Sequence, residues 1–314
     1  MKKIHLQKST IIKWIGATIV FYLFLMSNVF HVGDSIFPSA KDYINQPEHL
    51  RTGATAIDQA IRMETENSGT QDNALLAQTH GAANTPDMIC QNNEKICDTA
   101  HFVGDYTNKE KINYLANLIK IGRFIDDTLT TNQKVEDTLK QVNISKTSGK
   151  RGYANRDSIV LNIGTGIEKN EFFQLLSHEM GHILDLGILQ GSSAEKDKNF
   201  TEFSKKVFSK DDVSLIFYGL SRDAETIRKA KSTKKDFCSG YGMSDPFEDF
   251  AECLNLYLNH NQFFRITARK NPTMGKKYNA IAKLFDGIYI NQNKTDATLL
   301  QTNSDRRPWD TTRI

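Results

Sequence analysis

Two histidines four residues apart flank a glutamate in the run His178-Glu179-Met180-Gly181-His182. On a helix that spacing puts both imidazoles on one face, one turn apart, where they can share a metal ion. Glu179 lies about 100° around the helix from His178. There it can take a proton from a water at an open position of that metal. Three neutral or anionic protein ligands plus one open position is the pattern of catalytic zinc.

The surrounding residues are consistent with a helix from about Lys169 to Leu186. Phe172, Leu175, Leu176, Ile183 and Leu186 recur at helical spacing, and Glu179 falls inside their stripe. A carboxylate on a buried face is costly unless something pairs with it. A nearby cation and a water would do so. Gly181 is unfavourable within a helix by up to about 1 kcal/mol relative to Ala. Close approach of another backbone, or of a substrate, would account for it.

The third ligand sets the class. A layout completed by Gly at 185 and His or Asp at 188 fails, because Asp185 and Ile188 stand there. Asp185 sits three residues after His182 on the same side, and its short side chain suits a partner for an imidazole N–H better than a ligand. The other candidate lies in Tyr241-Gly242-Met243-Ser244-Asp245-Pro246-Phe247-Glu248-Asp249-Phe250-Ala251-Glu252. That run reads as a helix start, with Asp245 as N-cap, Pro246 at the first position and Glu248 at the capping-box position. Glu248 and Glu252 stack one turn apart. One reading makes Glu248 the third ligand and has Glu252 orient a ligating histidine. The other leaves Glu248 a capping residue and Glu252 a solvated acid.

His178-Glu179-x-x-His182-x-x-Asp185, followed by Tyr241 and Pro246-x-Glu248-Asp249-Phe250-Ala251-Glu252, resembles the gluzincin-type sites of the anthrax lethal factor catalytic domain and the Mlc titration factor A peptidases. The resemblance spans about residues 155–260. It implies a zinc metallopeptidase in which His178, His182 and Glu248 bind Zn2+, Glu179 is the general base and Tyr241 donates to the oxyanion. Asp249 departs from the pattern, standing where those families carry the first aromatic of an E-F-F-A-like element.

Several elements must position these residues. The spacing of Ile112, Leu115, Ile119 and Phe124 predicts a helix, and a second helical stretch is expected over Val135–Val142. The β-branched run Ile159–Ile163 predicts a strand; the resemblance implies that it lies at the edge of a sheet, where an extended peptide can pair with it by strand addition. Glu195–Phe208 and Asp245–Asn259 are expected to be helices. The expected fold class is α+β, and the resemblance implies a zincin-like domain over residues 106–290, mostly helical with a small sheet.

The flanks differ in kind. Lys2, Lys3, Lys8 and Lys13 precede an apolar run from Trp14 to Phe30. A basic flank before such a run describes a signal anchor or a signal peptide within residues 1–35. Either places the rest outside the cytoplasm, as an exported protein that is secreted or membrane-anchored through that segment. Residues 36–105 read as a polar linker or stalk, partly disordered, or as an inhibitory prodomain, and residues 291–314 as a polar tail. The four cysteines, Cys90, Cys97, Cys238 and Cys253, allow three pairings or four free thiols. With a net charge of +3 and acids and bases mixed along 314 residues, nothing resembles the basic face of a nucleic-acid binder. The expected partner is a protein or peptide substrate. Two other readings stay open: a binding or adhesion protein with a vestigial metal site, and an amidase acting on cell-wall peptide.

Overall fold

Side chains alternate across a strand, and this chain uses the alternation to build one wall of its core. Val142 and Ile144, then Ile159 and Leu161, are buried at every second position. They lie in β2 (Gln141–Ser145) and β4 (Ser158–Asn162), the two central strands of a four-stranded sheet. β1 (Ala100–Val103) and β3 (Gly152–Ala154) complete it in the order β1-β2-β4-β3. β1, β2 and β4 run parallel, and β3 runs antiparallel to β4 with Gly152 opposite Leu161.

The computed structural model describes residues 85–290 except 149, 165, 166, 168 and 203. The expected N-terminal segment, most of the expected linker and the polar tail lie outside the described residues. Among the described residues no helix is long and apolar enough to cross a membrane. The described fold is mixed α/β, with helices outweighing the small sheet.

The globular part begins earlier than the expected residue 106. Two short helices, α1 (Pro86–Cys90) and α2 (Glu94–Asp98), bury Ile89 and Ile96, and β1 joins the sheet. The Cys90–Cys97 disulfide ties α1 to α2. The polar composition of this stretch hid two buried isoleucines and one strand.

α3 (Asn108–Thr128) starts at a capping box, where Thr107 accepts from the Glu110 N–H and Glu110 accepts from the Thr107 N–H. It buries Ile112, Leu115 and Ile119 as expected. The next expected helix is cut short. α4 covers only Val135–Thr138, and the chain then extends into β2.

α5 (Lys169–His182) carries the histidine motif and continues as a wider π-helical segment over Ile183–Ile188. α5 meets α3 where the Phe172 and Tyr114 rings lie 4.5 Å apart. The expected helix over 195–208 does not form. The Asp197 carboxylate accepts from the N–H groups of Asn199 and Phe200, a local turn that competes with helix. Isolated bridges, Lys196 to Ser209 and Glu202 to Lys205, fold the segment back on itself.

α6 (Val213–Tyr218) and the small hairpin β5 (Arg222–Ala224) and β6 (Ile227–Arg228) follow. Then come two 3-10 turns, at Lys234–Asp236 and Tyr241–Met243. α7 (Pro246–Asn259) begins as expected, with the Asp245 carboxylate accepting from the Glu248 N–H at 2.8 Å and Pro246 in the first turn. α8 (Asn261–Lys270) and α9 (Pro272–Leu284) close the fold.

Candidate metal centre

α5 and α7 pack against each other, and the packing explains Gly181. A methyl group on Gly181 would stand 2.6 Å from Ala251 Cα and 3.0 Å from Ala251 Cβ. Glycine lets α7 come close enough for its glutamates to reach the histidines on α5.

Glu248 and Glu252 meet His178 from opposite sides. Glu248 Oε2 lies 3.0 Å from His178 Nε2 and 3.3 Å from His182 Nε2. Glu252 Oε1 lies 2.7 Å from His178 Nδ1. With Nδ1–H donating to Glu252, the Nε2 lone pair points at Glu248 and His182. Glu252 is fully buried, so it is not the solvated acid of the alternative reading. Glu248 is not merely a capping residue either, because its carboxylate faces the imidazoles.

The three ligand-type atoms are close, yet Glu248 Oε2 is buried without a well-formed hydrogen bond. Ligands about 2.0–2.2 Å from a tetrahedral ion are separated by roughly 3.3 Å. Both nitrogen–oxygen separations fall near that value. The electrostatics agree. Burial opposes charge on Glu248, but His178 and His182 outweigh it and hold the carboxyl well below the usual carboxylate range. Burial also opposes charge on His178, yet Glu248 and Glu252 raise it well above the usual imidazole value. The glutamates create a demand for positive charge at this point, which a cation would meet.

Glu179 is 3% exposed, and its Oε2 is buried without a partner. Burial pushes its carboxyl upward, against the pull of His178 and His182, with Glu248 adding to the rise. On one side it is covered by β3. A methyl group on Gly152 would overlap Glu179 Oε1, so a side chain there would displace the Glu179 carboxylate. The expected edge strand is corrected by this arrangement: β4 is interior, and β3 is the edge beside Glu179. The Asn162 N–H donates to the Arg151 carbonyl, and the Asn155 N–H donates to the Ser158 carbonyl. Antiparallel alternation therefore points the N–H and C=O of Gly152 and Ala154 to the free edge.

The structure brings Tyr241 to the centre. Its ring stacks on His178 with centroids 5.9 Å apart, and its hydroxyl donates to Glu248 Oε1 at 2.8 Å. Burial and the Glu248 charge raise its pKa well above the ordinary value, so it remains a proton donor.

Asp185 stands elsewhere. Both carboxyl oxygens accept from the Tyr218 hydroxyl at 2.7 Å, and it makes no hydrogen bond to either imidazole. The π-helical segment that begins at Ile183 turns less per residue than an α-helix and moves Asp185 off the histidine face. Burial raises its carboxyl to about 7.

Three contributors carry no sequence signal of their own: Gly152, Tyr218 and Lys277, whose ammonium is fully buried against Asp249. Asp249, two residues from Ala251 on α7, is thus held by an ionic partner on α9. Cys238 and Cys253 form a disulfide, so neither is a free thiol.

No protein-family model, curated protein or solved structure matches the chain at a significant level.

Proposed function

We propose that the chain is a zinc-dependent metallopeptidase with a zincin-like fold, hydrolysing peptide bonds of a protein or peptide. One observation carries this reading. His178, His182 and Glu248 converge at ligand spacing beside the orphaned carboxylate oxygen of Glu179. Two imidazoles and one carboxylate form a donor set typical of catalytic zinc. Zinc held there would polarise the scissile carbonyl and make the attacking water more acidic.

The remaining chemistry belongs to the chain. Glu179 takes a proton from the attacking water and passes it to the leaving amide nitrogen. Glu252 keeps His178 in the tautomer that offers Nε2. The Tyr241 hydroxyl turns from Glu248 to donate to the developing oxyanion. An extended substrate adds to the free edge of β3 through the backbone of Gly152 and Ala154, which sets its carbonyl beside Glu179. Two disulfides in the described domain fit an exported protein.

The test is cleavage of a generic unfolded protein by wild type and Glu179→Gln. The variant should keep its metal and lose turnover. Equal cleavage by both would remove Glu179 from the mechanism.

A further inference from the structure

The turn that carries Tyr241 is held by a set of ties that a zinc ligand set alone does not require. The Lys277 ammonium on α9 is fully buried between the Asp249 carboxylate and the Asp236 carbonyl, the latter at 2.6 Å. It also lies 4.5 Å from the centre of the Phe237 ring. Asp249 in turn accepts from the Cys238 N–H at 3.3 Å and the Ser221 hydroxyl at 3.3 Å. Cys238 is bonded through sulfur to Cys253. At the far end of the turn, the Arg222 guanidinium donates to the Met243 carbonyl at 2.6 Å. Gly242 sits flat on Asp249, where an added methyl would stand 3.0 Å from Oδ1 and 3.1 Å from Cα.

These ties share a geometry. Asp249 follows the ligand Glu248 directly, and Gly242 follows Tyr241 directly. Holding Asp249 against Gly242 therefore fixes the spacing between the two backbones from which Glu248 and Tyr241 project. That spacing sets the 2.8 Å bond from the Tyr241 hydroxyl to Glu248 Oε1 and leaves Oε2 facing the histidines. A buried ion pair is seldom the most stabilising choice at a core position, since apolar residues of similar volume often do as well. A role in fixing geometry accounts for its presence here.

We propose that Asp249 and Lys277 are positioning residues that set the orientation of Glu248 through the Tyr241 turn. The proposal rests on the metal-site reading above. The pair touches neither metal nor substrate. Removing it loosens the turn, frees the Tyr241 hydroxyl from Oε1 and lets the Glu248 carboxylate rotate.

The apolar exchange Asp249→Leu with Lys277→Met separates this role from plain support of the fold, because it removes both charges and leaves neither stranded. Gly242→Ala is the second variant. It keeps the ion pair but shifts the turn by the width of a methyl group. Each is loaded with Co2+ in place of zinc, and the visible absorption band, the metal dissociation rate and the thermal midpoint are recorded. Both variants should shift the band and speed Co2+ dissociation about tenfold, with the double variant melting close to wild type. Tyr241→Phe should do the same, and adding it to the double variant should change little, since both act through one hydroxyl. An unchanged band and rate in folded variants would overturn the proposal, as would a full additive effect of Tyr241→Phe. If the double variant does not fold, the Gly242→Ala result decides alone. A wild-type chain that takes up no Co2+ would overturn the metal-site reading, and this proposal with it.

Discussion

Gly181 on α5 lies against Ala251 on α7 with no space for a side chain, 2.6 Å from where its Cβ would be to Ala251 Cα. The two motifs of the centre are read from distant parts of the sequence, and this contact is where their helices are brought to ligand distance. Gly181→Ala should raise intrinsic helix propensity yet destabilise the fold by about 1–3 kcal/mol, because overpacking exceeds the propensity gain. Denaturant unfolding measures it. Metal affinity should fall as well, since any separation of α5 and α7 moves Glu248 away from the histidines. A variant as stable as wild type would mean that the helices tolerate separation.

Gly152 makes the same argument on the other side of Glu179. Gly152→Ala should leave metal content intact, because no ligand is displaced, and should lower turnover by about 10-fold or more by moving the Glu179 carboxylate. Metal analysis alongside peptide cleavage separates the two effects. Loss of metal with unchanged cleavage per bound metal would contradict the placement of β3.

Glu179→Gln preserves size and hydrogen-bonding shape but not basicity. Its turnover should drop by about 10²- to 10⁴-fold with metal retained. The variant should also be at least as stable as wild type, since it removes a buried carboxylate with an unpartnered oxygen.

Much of this centre is legible in the sequence, for a local reason. The histidine spacing, the Asp245 cap and the Glu248–Glu252 stacking each depend on the geometry of one helix. What the sequence hides depends on contacts between distant segments. Gly152 and Lys277 act through partners far along the chain, among them Glu179 and Asp249, 27 and 28 residues away respectively. The expected helix over 195–208 fails because Asp197 finds backbone donors in a turn, a competition that apolar spacing does not register. The strand Gln141–Ser145 was masked by the helix-like pattern running into it, and only pairing on both sides with β1 and β4 makes it a strand. Asp185 shares a face with His182 only if the helix stays α, and it does not.

Asp185 predicts a pH dependence. Its carboxyl titrates at about 7 in the fold against an ordinary value of 3.8. Between those values the unfolded chain loses the proton and the folded chain keeps it. Stability should therefore fall as pH rises from about 4 to about 7, by on the order of a few kcal/mol. Asp185→Asn should flatten that slope in chemical denaturation across the range. A slope identical to wild type would mean that Asp185 is ionised in the fold.

His178, His182 and Glu248 are placed to hold one metal ion together, and the proposed mechanism requires that it be zinc. Elemental analysis of purified wild type, His178→Ala and Glu248→Ala tests it most directly. About one zinc per chain in wild type, with most of it lost in both variants, is the predicted result. Zinc retained at full occupancy in Glu248→Ala, or absent from wild type after zinc loading, would contradict it.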